Sequence, residues 1–151
     1  MSPDLDTVLA LVQRRLDASD ATTRLIAVDG PSGSGKSTLA RPPLLDGRDA
    51  VFQARDWEGD EFGDGLGEWR TVPWAPVVVL EGVTCSRLAI SDRLACRLWI
   101  EAAPADRLQR GLRRDGESHR GLWDRWMVEE TAFFAEDRTR ERADLVVDGT
   151  A

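Results

Sequence analysis

"TRLIAVDGPSGSGKSTLARPP" occupies residues 23–43, and its first half decides the fold. The run 23–29 is short and apolar and stops at Gly30, the pattern of a buried strand. Gly30-Pro31-Ser32-Gly33-Ser34-Gly35-Lys36-Ser37 then matches G-x-x-x-x-G-K-[ST] in full. The glycines let backbone N–H groups turn inward around phosphate oxygens without side-chain obstruction. The helix that starts at Gly35 would add its free N–H groups and the positive end of its dipole. Lys36 would reach the outer phosphates, and the Ser37 hydroxyl would ligate Mg²⁺. The residues expected to hold ATP are therefore Gly30, Ser32, Gly33, Ser34, Gly35, Lys36, Ser37 and Thr38. The alternative is a glycine-rich turn without a ligand. Against it stand the apolar strand before the loop and the helix-capable stretch after it.

The lysine carries information of its own. Lys36 is the only lysine, against nineteen arginines. Genomic base composition accounts for the arginine bias. That bias makes the surviving lysine a position where a compact point charge was required, because arginine is planar and forked. Pro42 and Pro43 end the loop helix early, since proline lacks an N–H and disfavours helical geometry before it.

Outward from the loop, apolar residues at helical spacing (Leu5, Val8, Leu9, Val12, Leu16) predict an amphipathic helix over 4–17. "DAVFQAR" has the look of a short strand, and "DWEGDEFGDGLGEWR" of a surface loop or loose hairpin. "APVVVLEG" (75–82) predicts a strand, "SRLAISDRL" a short helix, and "ACRLWIEA" (95–102) another buried strand. "PADRLQRGLRRDG" (104–116) has proline near a helix start and glycine at its end. A long helix follows within 118–140, and "ADLVVDG" (143–149) predicts a last strand. Strands alternating with helices imply an α/β domain, one over 1–151, with a mainly parallel sheet and its ligand at the carboxyl ends of the strands. Glu81, ending "VVVLE", is placed to hold Mg²⁺ through water from the neighbouring strand; the alternative is an acid facing solvent.

Composition bounds the partners. The net charge of −7 argues against a broad nucleic-acid-binding face. No apolar run approaches the ~20 residues that span a bilayer. The first twenty residues place acids before their apolar positions and have no continuous apolar region, unlike a signal peptide. Cys85 and Cys96 make neither a disulfide framework nor a zinc site, and a reduced, cytoplasmic setting is the simpler expectation. Nothing in the sequence sets an oligomeric state.

"IAVDGPSGSGKSTLA", "ARDW", "VVVLEGV", "RLQRGLRRDGESHRGLW" and "EETAFFAEDRTRERADLVVDG", in that order, resemble the uridine kinase-like branch of the P-loop nucleoside and nucleotide kinases. The resemblance covers most of residues 23–149. It implies a P-loop NTPase-type three-layer domain with strand order 2-3-1-4-5, ATP and Mg²⁺ on the loop, and transfer of the γ-phosphoryl to a hydroxyl of a nucleoside or related small molecule. It also implies a lid around 110–125 whose arginines map to Arg110, Arg113, Arg114 and Arg120, with Arg113 and Arg114 as catalytic candidates beside Lys36. Arginines there would neutralise charge on the transferring phosphoryl group; the alternative is a solvated arginine face. "VVDGT" would end beside the adenine.

The chain departs from the family after the loop. "KSTLAR" passes directly to "PPLLDGRDAVFQARDW", with no room for the family's second strand and the aspartate that ends it. In the order 2-3-1-4-5 that strand is an edge, so its loss leaves 3-1-4-5 with the loop still on the central strand. Nucleotide binding would survive where acceptor chemistry suffers, which admits a degenerate, non-catalytic nucleotide binder or a kinase for another metabolite. Asp56 is a candidate replacement acid or an acceptor contact. Trp57 and Trp69 either stack on a base or, the favoured expectation, form a small packing cluster. Glu58, Asp60, Glu61 and Asp64 lack the spacing of a calcium loop, and His119, the only histidine, is expected at the surface.

Overall fold

The apolar run after Thr23 forms strand β1 (Arg24–Asp29), with Leu25, Ile26 and Ala27 all buried. A computed structural model of the chain describes residues 3–32, 47–55 and 65–149. Residues 33–38 of the loop, the prolines at 42 and 43, and residues 56–64, with Asp56 and Trp57, lie outside the described residues.

Around β1 the chain lays β4 (Val77–Glu81), β5 (Leu94–Glu101) and β6 (Leu145–Asp148) in the order β4-β1-β5-β6. Every pairing is parallel. Among the described residues this is the 3-1-4-5 arrangement expected without the edge strand, and β1 is interior to it. A parallel sheet covered on both faces needs apolar residues at consecutive positions, which is why these strands read as runs and not as alternations. Leu25 and Ala27 join Leu80 and Leu94 in one core, while Ile26 joins Cys96 and Leu98 in the other. A register shift against β1 between Leu25 and Ile26 skips one residue of β5, so Leu94 and Cys96 serve opposite cores despite their two-residue spacing.

Helix α1 (Leu5–Asp17) covers the second core through Val8, Leu11, Val12 and Leu16. Asp4 caps it by accepting the Thr7 N–H at 2.7 Å. Asp144 fastens this end of the sheet by accepting from Arg15, from the Arg97 N–H and from the Arg97 guanidinium. Helices α2 (Pro104–Asp115) and α3 (Arg120–Asp137) follow β5. Phe134 of α3 meets Trp99 of β5 edge-on, with ring centroids 4.7 Å apart. The expected short helix before β5 is a 3₁₀ segment, Leu88–Arg93.

Between β1 and β4 the chain makes a separate antiparallel ribbon, β2 (Ala50–Arg55) with β3 (Leu66–Val72). Its base is tied to the start of β1 by Trp74, whose indole N–H donates to the Thr23 hydroxyl at 2.8 Å. Trp69 does not form the expected packing cluster: it stands 68% exposed on β3, because a two-stranded ribbon offers no second layer to cover it. No helix among the described residues is long and apolar enough to cross a membrane.

The contact of α2 with α3 depends on a missing side chain. A Cβ on Gly111 would lie 2.3–2.7 Å from three ring atoms of Trp123. Trp123 cannot easily retreat, because its indole N–H donates to Asp115 at 3.0 Å. Gly111→Ala gains about 1 kcal/mol of helix propensity but overpacks this contact by about 1–3 kcal/mol. The expected net result is a lower melting temperature, read by circular dichroism; a higher one would show that the indole can move.

Candidate functional site

The switch in strand order sits at β1. The chain leaves β1, returns as β4 on one side, then crosses to β5 on the other. Crevices at the carboxyl ends of strands around such a point are where open α/β sheets bind ligands. The phosphate-loop sequence begins there, at Gly30.

The end of β1 is held tightly. Asp29 is 2% exposed and takes four donors. Its Oδ1 accepts the N–H groups of Gly30 (2.8 Å) and Thr84 (2.9 Å). Its Oδ2 accepts the Ser86 N–H (2.8 Å) and the Ser86 hydroxyl (2.7 Å). One carboxylate thus joins the start of the loop to the turn that follows β4. Thr84 in that turn has φ +68°, a left-handed conformation that a β-branched residue adopts only under constraint.

Gly30 has φ +155°, and a Cβ there would stand 2.1 Å from the carbonyl oxygen of Ile100 in β5. Only glycine lets the loop leave the sheet at this angle. Two residues on, the Ser32 N–H donates to Glu130 Oε2 at 2.6 Å, and the Trp126 indole N–H donates to the Ser32 hydroxyl. Both partners belong to α3. Glu130 also pairs with Arg107 of α2, and both side chains are buried.

Glu81 ends β4 one strand over, in register with Val28, and is exposed. Among the described residues it makes no ion pair and no side-chain hydrogen bond. The next acid along the strand ends, Glu101, is taken by Arg140 through two contacts of 2.6 and 3.0 Å. The Arg140 hydrogen bond holds its carboxyl below the usual range. No group of three metal-ligating side chains stands together among the described residues.

The four arginines expected to form a lid are not equivalent. Arg110 donates to the Gly149 carbonyl at 2.8 Å and so ties α2 to the end of β6. Arg114 pairs with Asp115, lowering that carboxyl's pKa, and its guanidinium lies 5.8 Å from the Trp123 ring centroid. Arg120 pairs with Glu117. Arg113 is exposed and has no ion pair among the described residues. It lines an open cleft with Asp106, Gln109, Glu117 and Arg120. His119 sits near this surface, half-buried, and Cys96 is fully buried with its thiol pKa pushed up by desolvation.

Asp29, Arg107, Trp126 and Glu130 were not among the sequence candidates. Asp29 left a trace, an acid closing an apolar strand directly before the glycine loop. The other three left none, because a charged or aromatic residue within a helix gives no sign of its partner until the helix is packed.

No protein-family model matches the chain, and no curated protein matches it. Among solved structures, one described as a possible uridine kinase from Bacillus stearothermophilus has a TM-score of 0.59 and 14% identity, covering 95% of this chain and 98% of its own. At that identity the likeness is one of fold: an α/β domain built on a parallel sheet.

Proposed function

We propose that the chain binds ATP with Mg²⁺ at the carboxyl ends of β1 and β4, and transfers the γ-phosphoryl to a hydroxyl of a nucleoside-like small molecule. The observation that carries this reading is a single juxtaposition. The strand at the topological switch point of a parallel sheet runs directly into a complete G-x-x-x-x-G-K-S sequence. The fold likeness to a possible uridine kinase supports it.

In this reading the loop amides and Lys36 hold the phosphates, and Ser37 and Glu81 hold the metal, Glu81 through water. Mg²⁺ supplies charge neutralisation between the outer phosphates. Arg113, the lid arginine that no neighbouring carboxylate engages among the described residues, is best placed to meet the transferring group. Arg114 is the weaker candidate, since Asp115 already neutralises it.

A second reading, a nucleotide binder with impaired acceptor chemistry, is favoured by one observation. Among the described residues the sheet ends at β4, where the family's aspartate-bearing strand would lie. General-base catalysis contributes about 10²–10⁴-fold, so turnover of a nucleoside should be low unless Asp56 substitutes.

Calorimetry with MgATP separates these readings when combined with a phosphorylation assay over a nucleoside panel. Lys36→Ala is expected to weaken MgATP binding about 100-fold, the scale of a charge-assisted contact. Glu81→Gln is expected to weaken the Mg²⁺ dependence more than the nucleotide affinity. Unchanged binding in Lys36→Ala would overturn the site. Binding without turnover would select the second reading, and turnover abolished by Asp56→Asn would give the chain its own acceptor acid.

A further inference from the structure

We propose that Glu130 is a positioning residue for the phosphate loop: with Trp126, it fixes Ser32 from helix α3, so that phosphate affinity depends on a carboxylate 98 residues downstream of the loop. The consequence for binding rests on the nucleotide reading above; the geometry does not.

Both oxygens of Glu130 are committed. Oε1 pairs with Arg107, and Oε2 accepts the Ser32 N–H at 2.6 Å. The two side chains are 6% and 1% exposed. A buried ion pair recovers its desolvation cost only when its remaining hydrogen-bonding capacity is satisfied, and an apolar pair of similar size often holds two helices as well or better. Joining α2 to α3 is therefore a poor reason to bury these charges. The contact an apolar pair cannot make is the one to the loop. Gly30 is set by its close approach to Ile100, and the anchor on Ser32 fixes the direction in which the chain enters the rest of the motif. The same two helices carry Arg113 and Arg120, so the arginine-rich segment and the loop share one buried pair.

The decisive variant is the double replacement Arg107→Met with Glu130→Leu, in the full chain. Apolar replacement of a buried pair keeps the helices packed, so its melting temperature should match or exceed that of the wild type. Amide exchange by NMR should nevertheless speed up about tenfold or more at Ser32 while Leu25 and Ala27 in β1 stay protected. Affinity for magnesium tripolyphosphate, a probe with no base or sugar, should fall about tenfold, and MgATP by the same factor. A purely structural pair predicts wild-type Ser32 protection and wild-type tripolyphosphate affinity, and that result would overturn the proposal. If the double variant does not fold, Trp126→Phe decides. Its site is 42% exposed, so folding is not at stake, and loss of the indole donor should raise Ser32 exchange and weaken tripolyphosphate about threefold. No change in either would equally overturn it. Should the wild type bind neither tripolyphosphate nor ATP, the nucleotide reading fails, and Ser32 exchange still tests the anchor.

Discussion

Gly30→Ala is expected to lower the melting temperature by about 10 °C, from a loss of about 3 kcal/mol or more spread over a chain of this size. Two penalties combine. The residue has φ +155°, outside the range in which side-chain-bearing residues are comfortable. The added Cβ would stand 2.1 Å from the Ile100 carbonyl oxygen, a backbone atom within β5. No rotamer change relieves that contact, so the end of β1 must move away from β5 or the loop must leave the sheet along another path. Either movement displaces the Asp29 and Ser32 contacts, so MgATP binding should fall with stability. Gly121→Ala serves as control: a Cβ there meets nothing within 4 Å, and the change should be neutral or slightly stabilising. Thermal melts within about 2 °C of wild type for Gly30→Ala would show that the close approach is not needed.

Asp29→Asn should cost about 2–4 kcal/mol although it preserves size and shape. Each carboxylate oxygen accepts two donors, three of them backbone N–H groups. The amide nitrogen of asparagine cannot accept, so at least one backbone N–H must go unpaired in a site that is 2% exposed, even if the Ser86 hydroxyl turns to accept from the new NH₂. The Thr84 turn would lose the contact that holds its left-handed backbone, and with it the fixed course of the chain after Glu81. Urea denaturation should show the lower stability. Mg²⁺ titration of the variant should show weaker metal dependence, because Glu81 would no longer be held at a fixed strand end. Wild-type stability in Asp29→Asn would mean that water replaces the lost acceptor.

Much of the architecture was legible along the chain, for a physical reason. A strand buried on both faces is a run of apolar residues, a phosphate loop is a run of glycines around one lysine, and a helix is a period of apolar positions. Neighbours in sequence encode each of these. Thus 23–29, 75–82, 95–102 and 143–149 announced the four parallel strands found among the described residues, while the early end expected for the loop helix at Pro42 lies outside them. The ribbon at 50–72 was half legible: "DAVFQAR" looked like a strand, but its partner was hidden in an acidic, glycine-rich segment with no alternation to betray it.

What the sequence by itself determined is the chemistry on offer: a loop suited to phosphate, an acid at the next strand end, and an arginine-rich segment after β5. Only the tertiary structure decided which of those groups are engaged. Asp29 draws donors from 55 and 57 residues away, and Glu130 reaches back 98 residues to Ser32. Arg107 is buried against Glu130 and Arg110 is spent on Gly149, while Arg113, three residues further on, faces an open cleft. Those fates turn on how the crossovers of a parallel sheet bring distant segments to one edge. A charge has the same local signature whether it ends in water, in an ion pair or against a loop amide; its partner exists only once the crossovers are in place.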